Sequence, residues 1–197
     1  MIGSFKLSAQ RHTKADKHPL GDMFRRLTTS GIGLRQHHKV QDLLKPLKFD
    51  QVFYTKTVRT VTLARALLHA NYPKEIIQMV NYAYPEPDAH AEIWTMFEEA
   101  KGKGNAPNDY RDHRHFGLLL QYCKDAAKKL LEACQGKSTL LIGHVPMNQF
   151  ILAEIAILLG QHGVARELMK TRLELGDRLD VVWDGKNLTP NIVRLAL

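Results

Sequence analysis

The first strand-like stretch of the chain ends in a cation beside an imidazole. The run from Phe5 to Thr13 predicts a short β-strand that closes on Arg11 and His12. In α/β proteins ligands bind outside the carboxyl ends of the strands, so the pattern predicts that both side chains face such a crevice. A neutral imidazole can attack phosphorus, and a guanidinium can hold phosphoryl oxygens in a planar fork. Because an Arg-His pair is common by chance, the interpretation depends on two later segments.

The composition is that of one ordinary globular domain. The chain has 197 residues, of which 44% are hydrophobic and 24% charged, and this length suits a single domain covering residues 1–197. Its longest apolar run, from Phe150 to Leu159, is interrupted by Glu154 and falls short of the roughly 18 residues of a membrane span. The N-terminus has no basic segment followed by an apolar core, so no secretory signal is expected. Two cysteines, Cys123 and Cys134, are too few for a disulfide framework, which favours a cytoplasmic protein.

The chain is strongly basic. It has 28 Lys and Arg residues against 20 Asp and Glu, which gives a net charge of +8. Such a field attracts anions, whether a phosphorylated substrate, a nucleic acid or an anionic membrane face. The basic residues are spread along the chain and no nucleic-acid-binding motif accompanies them, so sequence-specific nucleic-acid binding is not expected.

Turn residues and apolar periodicity predict an alternation of strands and helices. A loop at 14–27 comes after the first strand, and the later elements are a helix that ends at Pro46, a strand at 49–54, a helix at 58–71, a strand at 139–144, a helix at 147–159 and a hairpin whose strands are 179–183 and 192–195. This order predicts a single α/β domain with a mostly parallel sheet and helices on both faces.

The middle of the chain is predicted to be largely helical. The pattern indicates a short helix at 73–79, a proline-containing loop at 82–88, a helix at 89–100 and a long helix at 110–134. On that long helix His113 and His115 point to different faces, so they do not predict a metal site. Gly31-Ile32-Gly33 lacks the third glycine of a dinucleotide fingerprint. We therefore predict neither a metal nor a nucleotide cofactor.

Two more strand ends carry candidate site residues. Arg59 lies five residues after Tyr54, where a buried strand passes into a helix, so its place in the first helical turn favours an anion. His144 follows Gly143 at the end of an apolar strand, which places its imidazole at the same edge of the sheet. Taken singly, each is as well explained by a solvated arginine or a packed histidine.

Together the three segments form an ordered pattern. They are Arg11-His12-Thr13, the run from Tyr54 to Ala64, and the run from Thr139 to Asn148. The pattern resembles the histidine phosphatase superfamily, or phosphoglycerate mutase-like family, whose members carry R-H-G, S-P-L-x-R-A-x-Q-T-A and G-H or S-H at successive strand ends. Residues 25–31 also resemble the family's P-L-T-x-x-G helix start. The resemblance spans roughly residues 5–160 and rests on the order of the motifs.

The resemblance implies a phosphoglycerate mutase-like fold and a role for each matching residue. His12 is the implied nucleophile, which becomes phosphohistidine, and Arg11, Arg59 and His144 are the implied substrate-binding and catalytic residues of the phosphate pocket. Two guanidiniums and an imidazole suit a dianionic phosphoryl group, at about 1.5–3 kcal/mol for each charge-assisted hydrogen bond. Such a pocket stabilises transition-state charge without a metal.

Two segments depart from the family pattern. Thr13 stands where the family has a glycine, and Thr55-Lys56-Thr57 replaces S-P-L. The Cβ of Thr13 restricts the approach of the backbone to a substrate, whereas Thr55 keeps a hydroxyl. We expect both threonines to border the substrate, and whether the replacements reduce activity stays open.

The general acid is the least determined residue. Cleavage of a phosphate ester needs a proton for the leaving alkoxide, whereas cleavage of phosphohistidine depends less on an enzyme carboxyl group. Many family members carry the acid on a loop between the second and third motifs. In this chain Glu86 is the best-placed candidate, with Asp88 and Glu92 as alternatives, and a solvated loop carboxylate is an equally good interpretation of each.

The predicted function is hydrolysis of a phosphate monoester or phosphohistidine, with a phosphorylated small molecule or a phosphoprotein as partner. The segments R-H-T-K-A and L-I-G-H-V-P most resemble the compact phosphohistidine phosphatases. A phosphate- or phosphoprotein-binding module that has lost turnover is the alternative. A phosphoglycerate mutase-like phosphotransferase is less favoured, because the chain is short of the insertions that reorient a phosphorylated intermediate. The sequence leaves the substrate and the oligomeric state open.

Overall fold

A computed structural model describes residues 2–12, 31–68, 72–100 and 106–195. The strands are β1 (Phe5–Arg11), β2 (Gln51–Tyr54), β3 (Ile77–Met79), β4 (Ser138–Gly143), β5 (Arg178–Trp183) and β6 (Leu188–Val193). The α-helices are α1 (Gly31–Leu44), α2 (Val58–Leu68), α3 (Ala91–Glu99), α4 (Phe116–Cys134), α5 (Met147–Leu158) and α6 (His162–Lys170), with 3-10 turns at Lys74–Ile76 and Pro107–Tyr110. Thr13 and the predicted loop at 14–27 lie outside the described residues.

The six strands form one sheet in the order β3-β2-β4-β1-β5-β6. β3, β2, β4 and β1 are joined by parallel pairings, whereas β5 lies antiparallel to β1 and forms the predicted C-terminal hairpin with β6. The prediction of an α/β domain with a mostly parallel sheet is therefore confirmed. Arg11 and Gly143 are partners in the β1–β4 register, so the residues that follow them, His12 and His144, leave the sheet side by side.

Helices cover both faces of the sheet because successive side chains of a strand point to opposite sides. Along β4, Leu141 packs into the larger core with residues of α3, α4, α5 and α6. Its neighbours Leu140 and Ile142 pack into the smaller core with residues of α1 and α2. This double burial explains why the predicted third strand is apolar throughout.

Several predicted elements are wrong. Residues 77–79 form the edge strand β3 instead of a helix, and the pairing with β2 decides this, because one half-buried and two exposed side chains leave little hydrophobic pattern to read. The long helix begins at Phe116 instead of residue 110, after a 3-10 turn. The helix α6 had no counterpart in the prediction. Within the described residues, no helix has the length and apolar character needed to cross a bilayer.

The early start of the predicted long helix also misplaced two histidines. His113 and His115 precede α4, and their ring centroids lie 5.4 Å apart instead of on different helix faces. The Nε2 atom of His113 lies 2.8 Å from Oε2 of Glu99. The described residues nevertheless include no group of three or more His, Cys, Asp or Glu side chains that could hold a metal ion, and the predicted lack of a metal stays a prediction.

Candidate active site

Four predicted site residues meet at the carboxyl ends of β1, β2 and β4. His12 follows β1, Thr55 follows β2, His144 follows β4, and Arg59 lies in the first turn of α2. All four side chains are buried, with relative exposures of 9% for His12, 3% for Arg59, 2% for His144 and 0% for Thr55. The parallel pairing of β2, β4 and β1 explains the cluster, because parallel strands deliver their carboxyl ends to one edge.

Arg59 bridges the two imidazoles. Its Nε atom donates to Nε2 of His12 at 2.9 Å, and its Nη2 atom lies 3.0 Å from Nδ1 of His144. The two rings lie 5.2 Å apart, with planes inclined by 61°. A guanidinium has five donors and no acceptor, so each of these nitrogens receives the hydrogen bond on a lone pair. Nε2 of His12 is therefore unprotonated and oriented toward the guanidinium.

The same logic assigns the tautomer of His144. Because Nδ1 accepts from Arg59, the proton of the neutral ring lies on Nε2, which is 2.9 Å from Oγ1 of Thr55. Burial lowers the pKa of His144 well below its ordinary value, and the nearby positive charges of Arg59 and Arg11 lower it further. The imidazole is consequently neutral at neutral pH.

Three threonine hydroxyls lie behind His144 and form a buried hydrogen-bonded group. Thr55 contacts Thr60 at 3.3 Å, and Thr57 contacts Thr60 at 2.9 Å. The Thr60 hydroxyl also bonds the Thr57 carbonyl oxygen at 3.0 Å. This packing orders the loop between β2 and α2 and thereby sets the position of Arg59. The contact of Thr55 is with His144 and Thr60, so its predicted contact with substrate stays a prediction.

Arg11 is held by a different loop. Its Nη1 atom donates to the carbonyl oxygen of Leu173, and its backbone N–H donates to the carbonyl oxygen of Asp177 at 2.9 Å. Burial lowers the pKa of Arg11, the charges of Glu174 and Asp177 oppose this shift, and the charge of Arg59 adds to it. Arg11 is therefore bonded to the loop before β5, and its predicted place in the phosphate pocket stays a prediction.

Glu86 lies in a more open environment. Its carboxylate is 3.8 Å from Nζ of Lys56, and the side chains of Lys56 and Glu86 are 60% and 46% exposed. The carboxylates of the alternatives, Asp88 and Glu92, belong to exposed residues. The structure thus brings His12, Arg59 and His144 together, whereas the predicted acid Glu86 lies in a solvated ion pair. A role for Glu86 stays a prediction.

Comparisons with known proteins bear on the fold. No protein-family model matches the sequence, and no curated protein matches it. A proposed alpha-ribazole-5'-P phosphatase from Escherichia coli superposes with a TM-score of 0.66 at 17% identity, covering 98% of this chain and 97% of that chain. A phosphoglycerate mutase from Bacillus anthracis superposes with a TM-score of 0.60 at 14% identity, covering 98% of this chain and 93% of that chain. The protein histidine phosphatase SixA, in complex with tungstate, superposes with a TM-score of 0.53 at 18% identity, covering 94% of each chain.

The chain has the histidine phosphatase fold. The three structures are members of the superfamily that the sequence motifs resemble, which confirms the fold that the resemblance implied. At identities of 14–18% the likeness establishes the fold, and the roles of individual residues rest on the geometry above. The superposition is less close for SixA than for the other two structures, so it does not favour a compact phosphohistidine phosphatase over other members.

Two residues of this histidine phosphatase fold were missed by the sequence analysis. The ring of Tyr84 lies against His144, with centroids 4.0 Å apart and planes inclined by 35°, and it meets the ring of Trp94 edge-on at 5.6 Å. Tyr84 lies in the loop immediately before Pro85, where no periodicity indicates which aromatic ring is buried. Asn148 contacts the backbone of Gly143 so closely that a Cβ there would collide with its side chain. The Gly-His sequence is the only available signal of that close approach.

Proposed function

We propose that the chain is a metal-independent phosphatase that hydrolyses a phosphate monoester or phosphohistidine through a covalent phosphohistidine on His12. The observation that carries the proposal is the hydrogen bond from Nε of Arg59 to Nε2 of His12, at 2.9 Å inside a buried cluster. The nitrogen that would attack accepts this bond and therefore carries a lone pair and no proton. It lies beside a guanidinium that can bind phosphoryl oxygens.

The reaction proceeds in two displacements. When a phosphoryl group enters, its oxygens take the Arg59 donors, and the lone pair of His12 Nε2 attacks phosphorus while the bond to the leaving group breaks. The leaving oxygen or nitrogen departs with its electron pair and takes a proton. Water then attacks phosphorus, the N–P bond breaks with its electrons returning to His12, and inorganic phosphate is released. Arg11, Arg59 and His144 stabilise the charge on the equatorial oxygens.

The source of the leaving-group proton distinguishes the two substrate classes. If Glu86 supplies it, Glu86→Gln slows alkyl phosphates, which are poor leaving groups, by roughly 10²–10⁴ and leaves activated aryl phosphates nearly unchanged. Glu132→Gln, the same change at an exposed glutamate of α4, is the matched control. Equal slowing of both substrate types would remove Glu86 from the mechanism and favour Asp88, Glu92 or no acid.

A phosphate- or phosphoprotein-binding module without turnover is the second candidate. The observation that favours it is the half-exposed position of Glu86, where the predicted acid is engaged in an ion pair with Lys56. A binder would show affinity for inorganic phosphate without release of nitrophenol from an aryl phosphate. Its partner in either case is a phosphorylated small molecule or a phosphoprotein, and the cytoplasm is the proposed location.

The covalent intermediate provides the decisive test. After a brief reaction with aryl phosphate, alkaline quenching should preserve a phosphoramidate on the protein and acid quenching should remove it, and mass spectrometry should map the phosphate to His12. His12→Ala should abolish label and turnover, whereas His38→Ala, a change at an exposed histidine of α1, should alter neither. Phosphate mapped to any other residue, or turnover that survives in His12→Ala, would contradict the proposal.

A further inference from the structure

Both ring nitrogens of His144 form hydrogen bonds to side chains of the protein, one as acceptor and the other as donor. Nδ1 lies 3.0 Å from Nη2 of Arg59 and accepts its hydrogen, while Nε2–H lies 2.9 Å from Oγ1 of Thr55. The oxygens of a phosphoryl dianion carry only lone pairs. Because the neutral ring presents a lone pair at Nδ1, an oxygen that takes the Arg59 donor meets a second acceptor there, and the contact is repulsive.

The proton on Nε2 is held in place by the threonine hydroxyls. Thr55 accepts from Nε2 and lies 3.3 Å from the Thr60 hydroxyl. The Thr57 hydroxyl lies 3.4 Å from Nε2 as a second acceptor. Thr55 and Thr60 have no exposed surface and His144 is 2% exposed. A switch of tautomer would remove the donor from this buried group, and a buried polar atom without its partner is unfavourable.

We propose that Thr55 is a positioning residue that, together with Arg59, holds His144 as the Nε2–H tautomer and accepts this proton when the ring is charged, so that the site binds a phosphoryl dianion together with one proton on Nδ1 of His144. The inference rests on the proposed function and adds the protonation state in which the pocket receives its substrate. A doubly protonated ring keeps the bond to Thr55 and gains a donor toward the anion. A neutral His144 ring would bind the anion more weakly.

The groups around His144 explain why the proton arrives with the anion. Arg59 from α2 and His12 from the end of β1 contact or face the ring, the Arg11 charge acts on it, Tyr84 covers one side and the threonines lie behind it. In the unliganded protein the positive charges oppose protonation, which agrees with the lowered pKa of His144. A dianion between the arginines reverses that field and favours the imidazolium.

Sulfate is a suitable probe because it stays a dianion between about pH 5 and 8, the range in which histidine changes charge. Nitrogen-15 spectra of ring-labelled protein, with the His144 signals assigned by their loss in His144→Gln, should show the Nε2–H tautomer without sulfate and the imidazolium with it. Calorimetry at pH 7 in two buffers of different ionisation enthalpy should report uptake of about one proton for each sulfate. The affinity should rise as the pH falls, by up to about tenfold per pH unit.

Matched variants separate positioning from packing. Thr55→Val keeps the shape but removes the acceptor of Nε2–H, so the imidazolium should be less favoured and the proton uptake with sulfate should fall, while Arg59 still keeps Nδ1 an acceptor in the free protein. Thr55→Ser keeps the hydroxyl and should restore the proton uptake. Thr62→Val, a change at an exposed threonine of α2, should behave as the parent protein. Because the spectra of the parent protein test the tautomer directly, the proposal remains testable if Thr55→Val does not fold.

Three results would overturn the inference: an Nδ1–H tautomer in the free parent protein, sulfate binding without proton uptake, or a proton gained by His12 in place of His144. Turnover with a phosphohistidine on His12 under any of these results would leave the proposed function intact. Conversely, proton-coupled sulfate binding without a covalent intermediate would sustain the inference for a binding module and refute the phosphatase. Failure to bind sulfate would likewise overturn the inference, and the covalent intermediate on His12 would still decide the proposed function.

Discussion

Arg59 and Arg178 are buried to nearly the same degree, at 3% and 7% exposure, but their hydrogen bonds end on different acceptors. Arg178, on β5, donates from Nε to Oδ1 of Asp180 at 2.8 Å and from Nη2 to Oδ2 at 3.2 Å. The bonds described above for Arg59 end on the ring nitrogens of His12 and His144. The guanidinium of Arg178 bonds a carboxylate two residues away in the same strand. The guanidinium of Arg59, on α2, bonds residues at the ends of β1 and β4.

The comparison shows what distinguishes a reactive buried cation from a structural one. A carboxylate cancels the charge of Arg178 and holds it in a fixed bidentate geometry. An imidazole can instead accept a hydrogen bond, gain a proton or attack phosphorus, so the acceptors of Arg59 can exchange their hydrogen bonds when an anion arrives. Four measurements test this contrast.

The largest effect is expected from Arg178→Met. The substitution leaves the Asp180 carboxylate buried without its partner, which should lower the free energy of unfolding by about 3–5 kcal/mol, measured by urea denaturation. The folded fraction should keep its activity on an aryl phosphate. Arg172→Met is the control, because its 3.4 Å pair with Asp109 involves a side chain that is 62% exposed. Loss of activity in stable Arg178→Met protein would end the assignment of this pair to structure.

Arg59→Lys should show the converse behaviour. Lysine is a point charge without the planar fork, so it cannot hold Nε2 of His12, Nδ1 of His144 and the phosphoryl oxygens at once. We expect kcat/KM for an aryl phosphate to fall by roughly 10²–10³, the usual effect of removing one preorganised donor. Arg65→Lys, which changes an exposed arginine on the same helix, should retain full activity. A decrease of less than about tenfold would mean that Arg59 is not part of the pocket.

The lowered pKa of His144 predicts a pH dependence of stability. The unfolded chain protonates this imidazole near its ordinary pKa of about 6.5, whereas the folded protein does so only at lower pH. The unfolded state therefore binds more protons below about pH 6.5, and the stability contributed by the neutral ring is lost as the pH falls, by up to about 1.4 kcal/mol per unit. His144→Gln should flatten this part of the curve of unfolding free energy against pH. Parallel curves for the two proteins would contradict the prediction.

The smallest effect is expected at the solvated pair of Lys56 and Glu86. Its atoms are 3.8 Å apart and both side chains are largely in water, so Lys56→Met should change the free energy of unfolding by less than about 1 kcal/mol. Denaturation at low and high salt should give nearly the same small difference. A decrease of more than about 2 kcal/mol in the free energy of unfolding would show that the loop containing Glu86 is held more tightly to the loop between β2 and α2 than its exposure indicates.

The prediction of the fold succeeded where burial was strong on both faces of an element. Leu140, Leu141 and Ile142 form a continuous apolar run because helices cover β4 on each side, and such a run is visible in sequence. It failed for β3, where backbone pairing with β2 decides the structure and the side chains of Gln78 and Met79 are exposed. It also failed for residues 110–115, whose polar and aromatic side chains fit a helix as well as the turns they form.

For the site, the order of the motifs was enough to predict that His12, Arg59 and His144 lie at one edge of the sheet. A strand that ends in a given residue delivers it to the same edge as its parallel neighbours, and that rule needs only local patterns. The stacking of Tyr84 on His144 and the contact between Arg11 and Leu173 join segments that are 60 or more residues apart. No local pattern encodes such contacts.

Short segments of the chain are enough to predict which chemical groups stand at the ends of which strands, because hydrophobic periodicity and strand termini are local properties. Which atom each group offers depends on how those segments pack. Because the Arg59 guanidinium donates to both rings, Nε2 of His12 and Nδ1 of His144 are acceptors. The proton of the His144 ring lies on Nε2 and is donated to the Thr55 hydroxyl. Hydrogen-bond direction depends on distances of about 3 Å between residues far apart in the chain, and it is set when β1, β2, β4 and α2 pack together.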